Sequence, residues 1–150
     1  MVDLSPILCG VAGEYFVAAE LSRRGYIASI TLRNTRGVDI LASNVIASRQ
    51  VGIQVKSNRG NSRAWILSQK AEDYFANNLF YAFVNLKTSQ ERPDYFIVPS
   101  EVVANHVRVG HATWLKALGK RGQPHNDSNV RKFGDYDGIY LEAWTLLGLD

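Results

Sequence analysis

The sequence predicts an α/β fold in which a mixed central sheet, opening with an antiparallel three-stranded meander, is flanked by helices. Three observations predict it. The first 24 residues carry apolar positions at helical spacing; the chain then switches to short runs rich in Ile, Val and Thr; and two later stretches, 79–86 and 95–98, are near-continuous apolar runs of the kind buried on both faces of a sheet.

Ser5-Pro6 reads as an N-cap followed by proline at the first helical position, and apolar residues at Leu8, Val11, Ala12, Tyr15, Ala18 and Ala19 carry the helix to Arg24, where Gly25 ends it. Gly10 and Gly13 inside this helix each cost about 1 kcal/mol relative to Ala, so a close approach of a strand or a substrate backbone is expected there. Residues 26–32, 38–43 and 50–57 read as three consecutive strands joined by turns short enough for a meander. Residues 59–63 form a polar loop. A short strand is predicted over 64–67, and Ser68 then caps a helix to about Asn77, with Glu72 and Asp73 near the positive end of its dipole. After the two apolar strands, Pro99-Ser100-Glu101 starts a helix to about His106. The remainder is polar and turn-rich before an amphipathic segment over 139–147, which with Trp114 and Trp144 is expected to form a helix over the sheet or a dimer surface. The chain is read as one domain over 1–150, with a core at about 5–98 and a helical elaboration at about 99–150.

At 150 residues, 46% hydrophobic and 21% charged, the composition is that of a globular protein able to bury its own core. Cys9 is the only cysteine, which excludes an internal disulfide and a cysteine-rich zinc site, and its apolar surroundings make it a packed thiol. No apolar run approaches the ~20 residues of a membrane span. A cytoplasmic protein with no membrane partner is the expectation. The net charge of +3 is small, but it is unevenly spread. Between Arg33 and Arg63 six basic residues face one acid, Asp39, while the rest of the chain has 11 basic and 13 acidic residues. Arg33, Arg36, Arg59 and Arg63 in this excess are candidates for contacts to a phosphate backbone, because the guanidinium fork suits phosphate.

The chemistry-bearing residues lie in the same region. In the strand around Val51-Gly52-Ile53-Gln54-Val55-Lys56, the period of 2 puts Val51, Ile53 and Val55 on one face and Gln54 and Lys56 on the other. That second face either meets water or is a site. Asp39 interrupts the apolar run Val38-Asp39-Ile40-Leu41 one hairpin earlier, and Glu14 lies among Tyr15, Phe16 and Val17 on the first helix. Taken singly, an exposed strand face, a strand-end cap and a solvent-facing helical Glu account for them.

Taken together, Gly13-Glu14 on a first helix, Gly37-Val38-Asp39 leading a strand and Gln54-Val55-Lys56 one strand later resemble the PD-(D/E)xK nuclease superfamily, whose restriction-endonuclease-like core is a helix, a three-stranded meander, a crossover helix and further strands. The resemblance covers about Ser5 to Val98. It implies a metal-dependent endonuclease hydrolysing DNA phosphodiester bonds. Glu14, Asp39, Gln54 and Lys56 would be its catalytic residues, and Mg²⁺, with Mn²⁺ able to substitute, would be held by Asp39, Gln54, the Val55 carbonyl and Glu14. Lys56 would orient the attacking water and stabilise developing charge. Position 54 departs from the commonest pattern, which has Glu or Asp there. A Glu, Asp, Gln-x-Lys arrangement is nevertheless similar to the endonuclease acting at the ends of certain bacterial transposons and to Holliday-junction-resolvase-like proteins. Lys70 at the start of the crossover helix is a further phosphate candidate, and Trp65 and Tyr74 are either core or base-stacking aromatics. The partner implied is DNA, with a homodimer or a partner protein supplying specificity. The alternatives are a nucleic-acid-binding module on the same fold without catalysis, and a non-nuclease α/β domain with a structural polar strand. His106, His111 and His125 lack metal-ligand spacing, and Asp135-Tyr136-Asp137-Gly138 lacks the rest of a calcium loop.

Overall fold

The computed structural model describes residues 3–33 and 35–150. Helix α1, Pro6–Arg23, starts where Ser5 accepts a hydrogen bond from the Leu8 N–H, and the chain leaves it through Gly25 at φ +85°. Strands β1 (Ile27–Ile30), β2 (Ile40–Ser43) and β3 (Gln50–Asn58) form the expected antiparallel meander. β5 (Leu79–Asn85) lies parallel to β3, and β6 (Asp94–Pro99) lies antiparallel to β5, giving a five-stranded mixed sheet of order β1-β2-β3-β5-β6.

β4 (Ala64–Ser68) exists as predicted but does not join this sheet. It pairs with β7 (Val130–Gly134) in a separate two-stranded ribbon. β7 was not foreseen. It stands in the segment expected to be a helical elaboration, beside helix α2 (Ser100–Lys116), which runs ten residues past the predicted end at His106. The helix expected over 68–77 is only a 3₁₀ turn, Gln69–Glu72, with no side-chain cap from Ser68. Asp, Tyr, Phe and Asn through 73–78 are weak helix formers, and Tyr74 is engaged elsewhere. The amphipathic segment at 139–147 is likewise no helix. It turns with Glu142 at φ 54°, bridges Leu141 to Phe96, and ends in a 3₁₀ turn, Trp144–Leu147.

Two apolar clusters sandwich the sheet. On one face α1 and the C-terminal segment enclose Val17, Leu21, Ile40, Ile53 and Trp144. On the other, the ribbon and α2 enclose Trp65, Tyr81, Phe83, Phe133 and Val103, with Phe83 stacked on Phe133 at 4.7 Å. Trp65 is therefore core, and Cys9 is a buried thiol donating weakly to the Ser57 carbonyl. Outside the sheet, an ionic cluster ties the chain's end to α1. Buried Glu20 meets Arg23 at 2.7 Å and Arg92 at 3.1 Å, and Arg92 also meets Glu142 at 2.6 Å. Among the described residues no helix is long and apolar enough to cross a membrane.

The contact that sets α1 on β3 is made at a glycine. A Cβ at Gly13 would lie 1.8 Å from Ser57 Oγ and 3.0 Å from Ser57 Cβ, whereas Gly10 has nothing within 4 Å. Only one of the two helical glycines therefore carries the expected close approach. Gly13→Ala gains about 1 kcal/mol of helix propensity, but overpacking of this contact costs about 1–3 kcal/mol. A net loss of stability in urea denaturation is expected, and it should be largely recovered by Ser57→Ala, since Ser57 Oγ is buried without a hydrogen-bond partner. A Gly13→Ala chain more stable than the parent would show that the helix can lift off the strand without cost.

Candidate active site

The last β2–β3 pair is Ile40 with Ile53, and the ladder then changes character. Asp39 N–H still donates to the Ile53 carbonyl at 2.9 Å, but the Val55 N–H is taken by the Asp39 side chain, at 2.7 Å from Oδ2. A carboxylate thus replaces the backbone acceptor that β2 would have supplied, a charge-assisted bond worth about 1.5–3 kcal/mol. A strand residue presents its N–H and C=O to the same edge, so the Val55 carbonyl faces the edge from which β2 has departed. Gln54 stands on β3 between the two residues that Asp39 bonds, Ile53 and Val55, with its side chain on the opposite face from theirs. Lys56, two residues further along β3, shares that face, and both Gln54 and Lys56 are half-buried.

The loop before Asp39 is held at three successive carbonyls. Tyr74 Oη donates to the Gly37 carbonyl, and Thr31 Oγ1 donates to those of Val38, at 2.6 Å, and Asp39, at 3.2 Å. Gly37 sits at φ +74°, and a Cβ there would lie 2.4 Å from Tyr74 Oη. The Tyr74 ring packs against the core on the α2 side of the sheet, as one of the two expectations had it, and its hydroxyl does a second thing. It anchors the turn that delivers the acid. No local signal marks it, because its partner is 37 residues away in sequence.

Glu14 reaches the site from the other side of β3. Gly13 seats α1 against Ser57 and Val55, and the next residue carries its half-buried carboxylate to within electrostatic reach of Asp39 and Arg33. Asp39 is therefore fixed beside Val55 at the middle of β3, between Gln54 and Lys56 in the strand, and Glu14 lies within electrostatic reach of it. Among the described residues no three His, Cys, Asp or Glu side chains cluster. The site holds two carboxylates, with an amide where a third acid would stand.

Two solved structures share this architecture. A Holliday junction resolvase from the archaeon Archaeoglobus fulgidus aligns with a TM-score of 0.50 over 87% of this chain and 86% of its own, at 14% identity. A bacterial homing endonuclease aligns with a TM-score of 0.56 over 96% of this chain and 92% of its own, also at 14% identity. The chain therefore has a restriction-endonuclease-like fold. No family model matches the sequence, and no curated protein matches it.

In this restriction-endonuclease-like fold, the basic residues divide. Arg33 and Arg36 are exposed in the loop that leads to Asp39, and Arg33 acts on Glu14. Arg59 is instead paired with Asp3 at 2.7 Å. Arg63 donates to the Tyr136 carbonyl and lies over the Phe96 ring, away from the site. Lys70 is exposed, but a four-residue 3₁₀ turn lacks the dipole that was expected to draw a phosphate to it. None of Glu14, Asp39, Gln54 and Lys56 lines the clefts of about 390 and 540 Å³ found elsewhere on the surface.

Burial and, after it, the like charge of Asp39 raise the Glu14 pKa above the usual carboxylate range, while Arg33 opposes them. Burial and Asp39 also raise the Tyr74 phenol. An NMR titration of the Glu14 carboxyl is therefore expected to give a lower pKa in Asp39→Asn, where the like charge is gone, and a higher one in Arg33→Ala. A value unmoved by either substitution would mean that the three groups do not share one field.

Proposed function

We propose that the chain is a metal-dependent endonuclease that hydrolyses DNA phosphodiester bonds beside the middle of β3, with Glu14, Asp39, Gln54 and Lys56 as its catalytic residues. The observation that carries this reading is the Asp39 carboxylate locked on the Val55 N–H beside Gln54 and Lys56, with Glu14 coupled to it electrostatically, on a nuclease fold. The donor set fits Mg²⁺, with Mn²⁺ as substitute. Two carboxylates, the Gln54 amide oxygen and the Val55 carbonyl are all hard oxygens, and Asp39 is close enough to raise the proton affinity of Glu14 when no cation is between them. What the ion supplies, when bound, is charge neutralisation at the phosphate and a more acidic water.

The protein's own groups do the rest. Asp39 presents its free oxygen lobe in a fixed direction, because its Oδ2 is held by the strand and its backbone by Ile53 and Thr31. Glu14 contributes only when ionised, so cleavage is expected to fall as pH drops through its raised pKa. Lys56, on the Gln54 face, orients the attacking water and stabilises the negative charge that develops on the phosphate. Arg33 and Arg36 contact the backbone of the substrate on the side of the β1–β2 loop. All of these contacts read phosphate rather than base, so target choice rests with loops, a second copy of the chain or a partner protein. A cytoplasmic setting suits the single buried thiol, Cys9.

The neutral Gln54 favours a second reading, a module that binds nucleic acid on this fold and cuts it poorly. Supercoiled plasmid incubated with Mg²⁺ or Mn²⁺ separates the two. Nicking or linearisation by the parent chain is expected to fall about 10²-fold or more in Asp39→Ala and in Lys56→Ala, and the Mg²⁺ concentration giving half the maximal rate is expected to drop in Gln54→Glu, where a charge replaces an amide. Salt-sensitive binding without cleavage, in the parent and in Gln54→Glu alike, would sink the enzyme reading in favour of the module.

A further inference from the structure

The chain carries a second basic surface, remote from β3. Residues 102–134 hold six lysines and arginines against a single acid, Asp127, an excess of five; with the equal excess between Arg33 and Arg63, the remaining residues are left seven charges negative. This second excess lies on the C-terminal half of α2, the loop after it and β7, and two of its cations, Arg131 and Lys132, line a cleft of about 390 Å³ together with Ile66, Trp114, Val130 and Tyr136 among others. Alternation along the ribbon sends Trp65 and Phe133 into the core and leaves Ile66 and Lys132 facing this cleft.

The cleft is aromatic as well as basic. Trp114 is 42% exposed and Tyr136 67%. Trp114 is also held in place, with the His125 ring stacked 4.1 Å from it and the His111 ring 5.6 Å away. Of the cations, Arg131 is taken by Glu72, and Asp127 is taken by His111. Arg108, Lys116, Lys120, Arg121 and Lys132 have no carboxylate partner among the described residues, and their charge is open to an anion.

A fixed aromatic platform, apolar side chains and unpaired cations are the features that bind unpaired bases and the phosphates between them. Duplex DNA would use the cations but hide its base faces, and an acidic peptide would leave the aromatic platform without a purpose. The surface also connects to the catalytic side. The 3₁₀ turn Gln69–Glu72 receives Arg131 and Arg108 at Glu72, and two residues later Tyr74 holds the Gly37 carbonyl before Asp39.

We propose that the cleft between α2 and the β4–β7 ribbon binds a single-stranded segment of nucleic acid, with bases against Trp114 and Tyr136 and phosphates on Lys132. It deepens the nuclease reading by naming the form of strand held away from the hydrolytic site, and it rests on that reading for the choice of polymer but not for the location.

The test is binding of a fluorescein-labelled oligodeoxythymidine of about twelve nucleotides, within the range one such surface covers, followed by anisotropy in EDTA so that no cleavage occurs. Trp65 and Trp144 are 1% and 3% exposed, so quenching of tryptophan emission on binding reports Trp114. Trp114→Ala is expected to weaken binding about 10-fold or more, and Lys132→Glu to weaken it and flatten its salt dependence. Both side chains are exposed, and far-ultraviolet circular dichroism checks that the variants remain folded. Unchanged affinity in both variants, or no binding by the parent chain, overturns the proposal. The nuclease reading fails separately. A parent chain that cuts plasmid in Mg²⁺ but does not bind the oligonucleotide loses only the cleft, and one that cuts nothing yet loses oligonucleotide binding on Trp114→Ala loses only the hydrolytic site.

Discussion

The bond from the Val55 N–H to the Asp39 carboxylate is the point on which the geometry of the candidate site depends. A strand that leaves its neighbour normally strands a donor and an acceptor, and a buried donor without a partner costs about 1–3 kcal/mol. Here the departing strand leaves its own side chain behind to satisfy the donor. One interaction thereby ends the β2–β3 ladder, fixes the direction of the acid and opens the Val55 carbonyl to that edge. The three clamped carbonyls of Gly37, Val38 and Asp39 keep the departing strand from closing again.

The other face of the sheet explains why so much chain follows the core strands. β5 and β6 are buried across their width, so each face needs a cover. α1 and the segment around Trp144 cover one, fastened by Glu20, Arg92 and Glu142. The ribbon and α2 cover the other. The crossover from β3 to the parallel β5 is therefore made mostly by a strand rather than by a helix, and β4 needs a partner that arrives only with β7, about 60 residues later in the chain.

That delay marks the boundary of what the sequence reveals. α1, the meander and the two apolar strands are set by local periodicity, and they were legible, down to Ser5 as the cap and the shared face of Gln54 and Lys56. β7 and the second half of α2 were not, because their stability comes from each other and from β4. Val130-Arg131-Lys132-Phe133 shows no apolar–polar alternation, since the residue buried beside Phe133 on its inner face is Arg131 and Val130 is exposed, and α2 beyond Val107 is mostly exposed, with Gly110 in its path. At the site, the acids, the amide and the lysine were legible as residue types in order. Tyr74 and Thr31 were not, since what they do is visible only when distant backbone carbonyls come within reach.

Gly13 bears on how such a site can vary. The carboxylate of Glu14 is placed by the lack of an atom at its neighbour, because a single methyl group would meet Ser57 and hold the helix away from the strand. Position 10, one turn earlier, is under no such constraint. Substitutions on the outer surface of α1 leave this contact untouched, but the glycine is tied to the position of the acid beside it. A pattern that looks only for charged residues passes over the position that lets them meet.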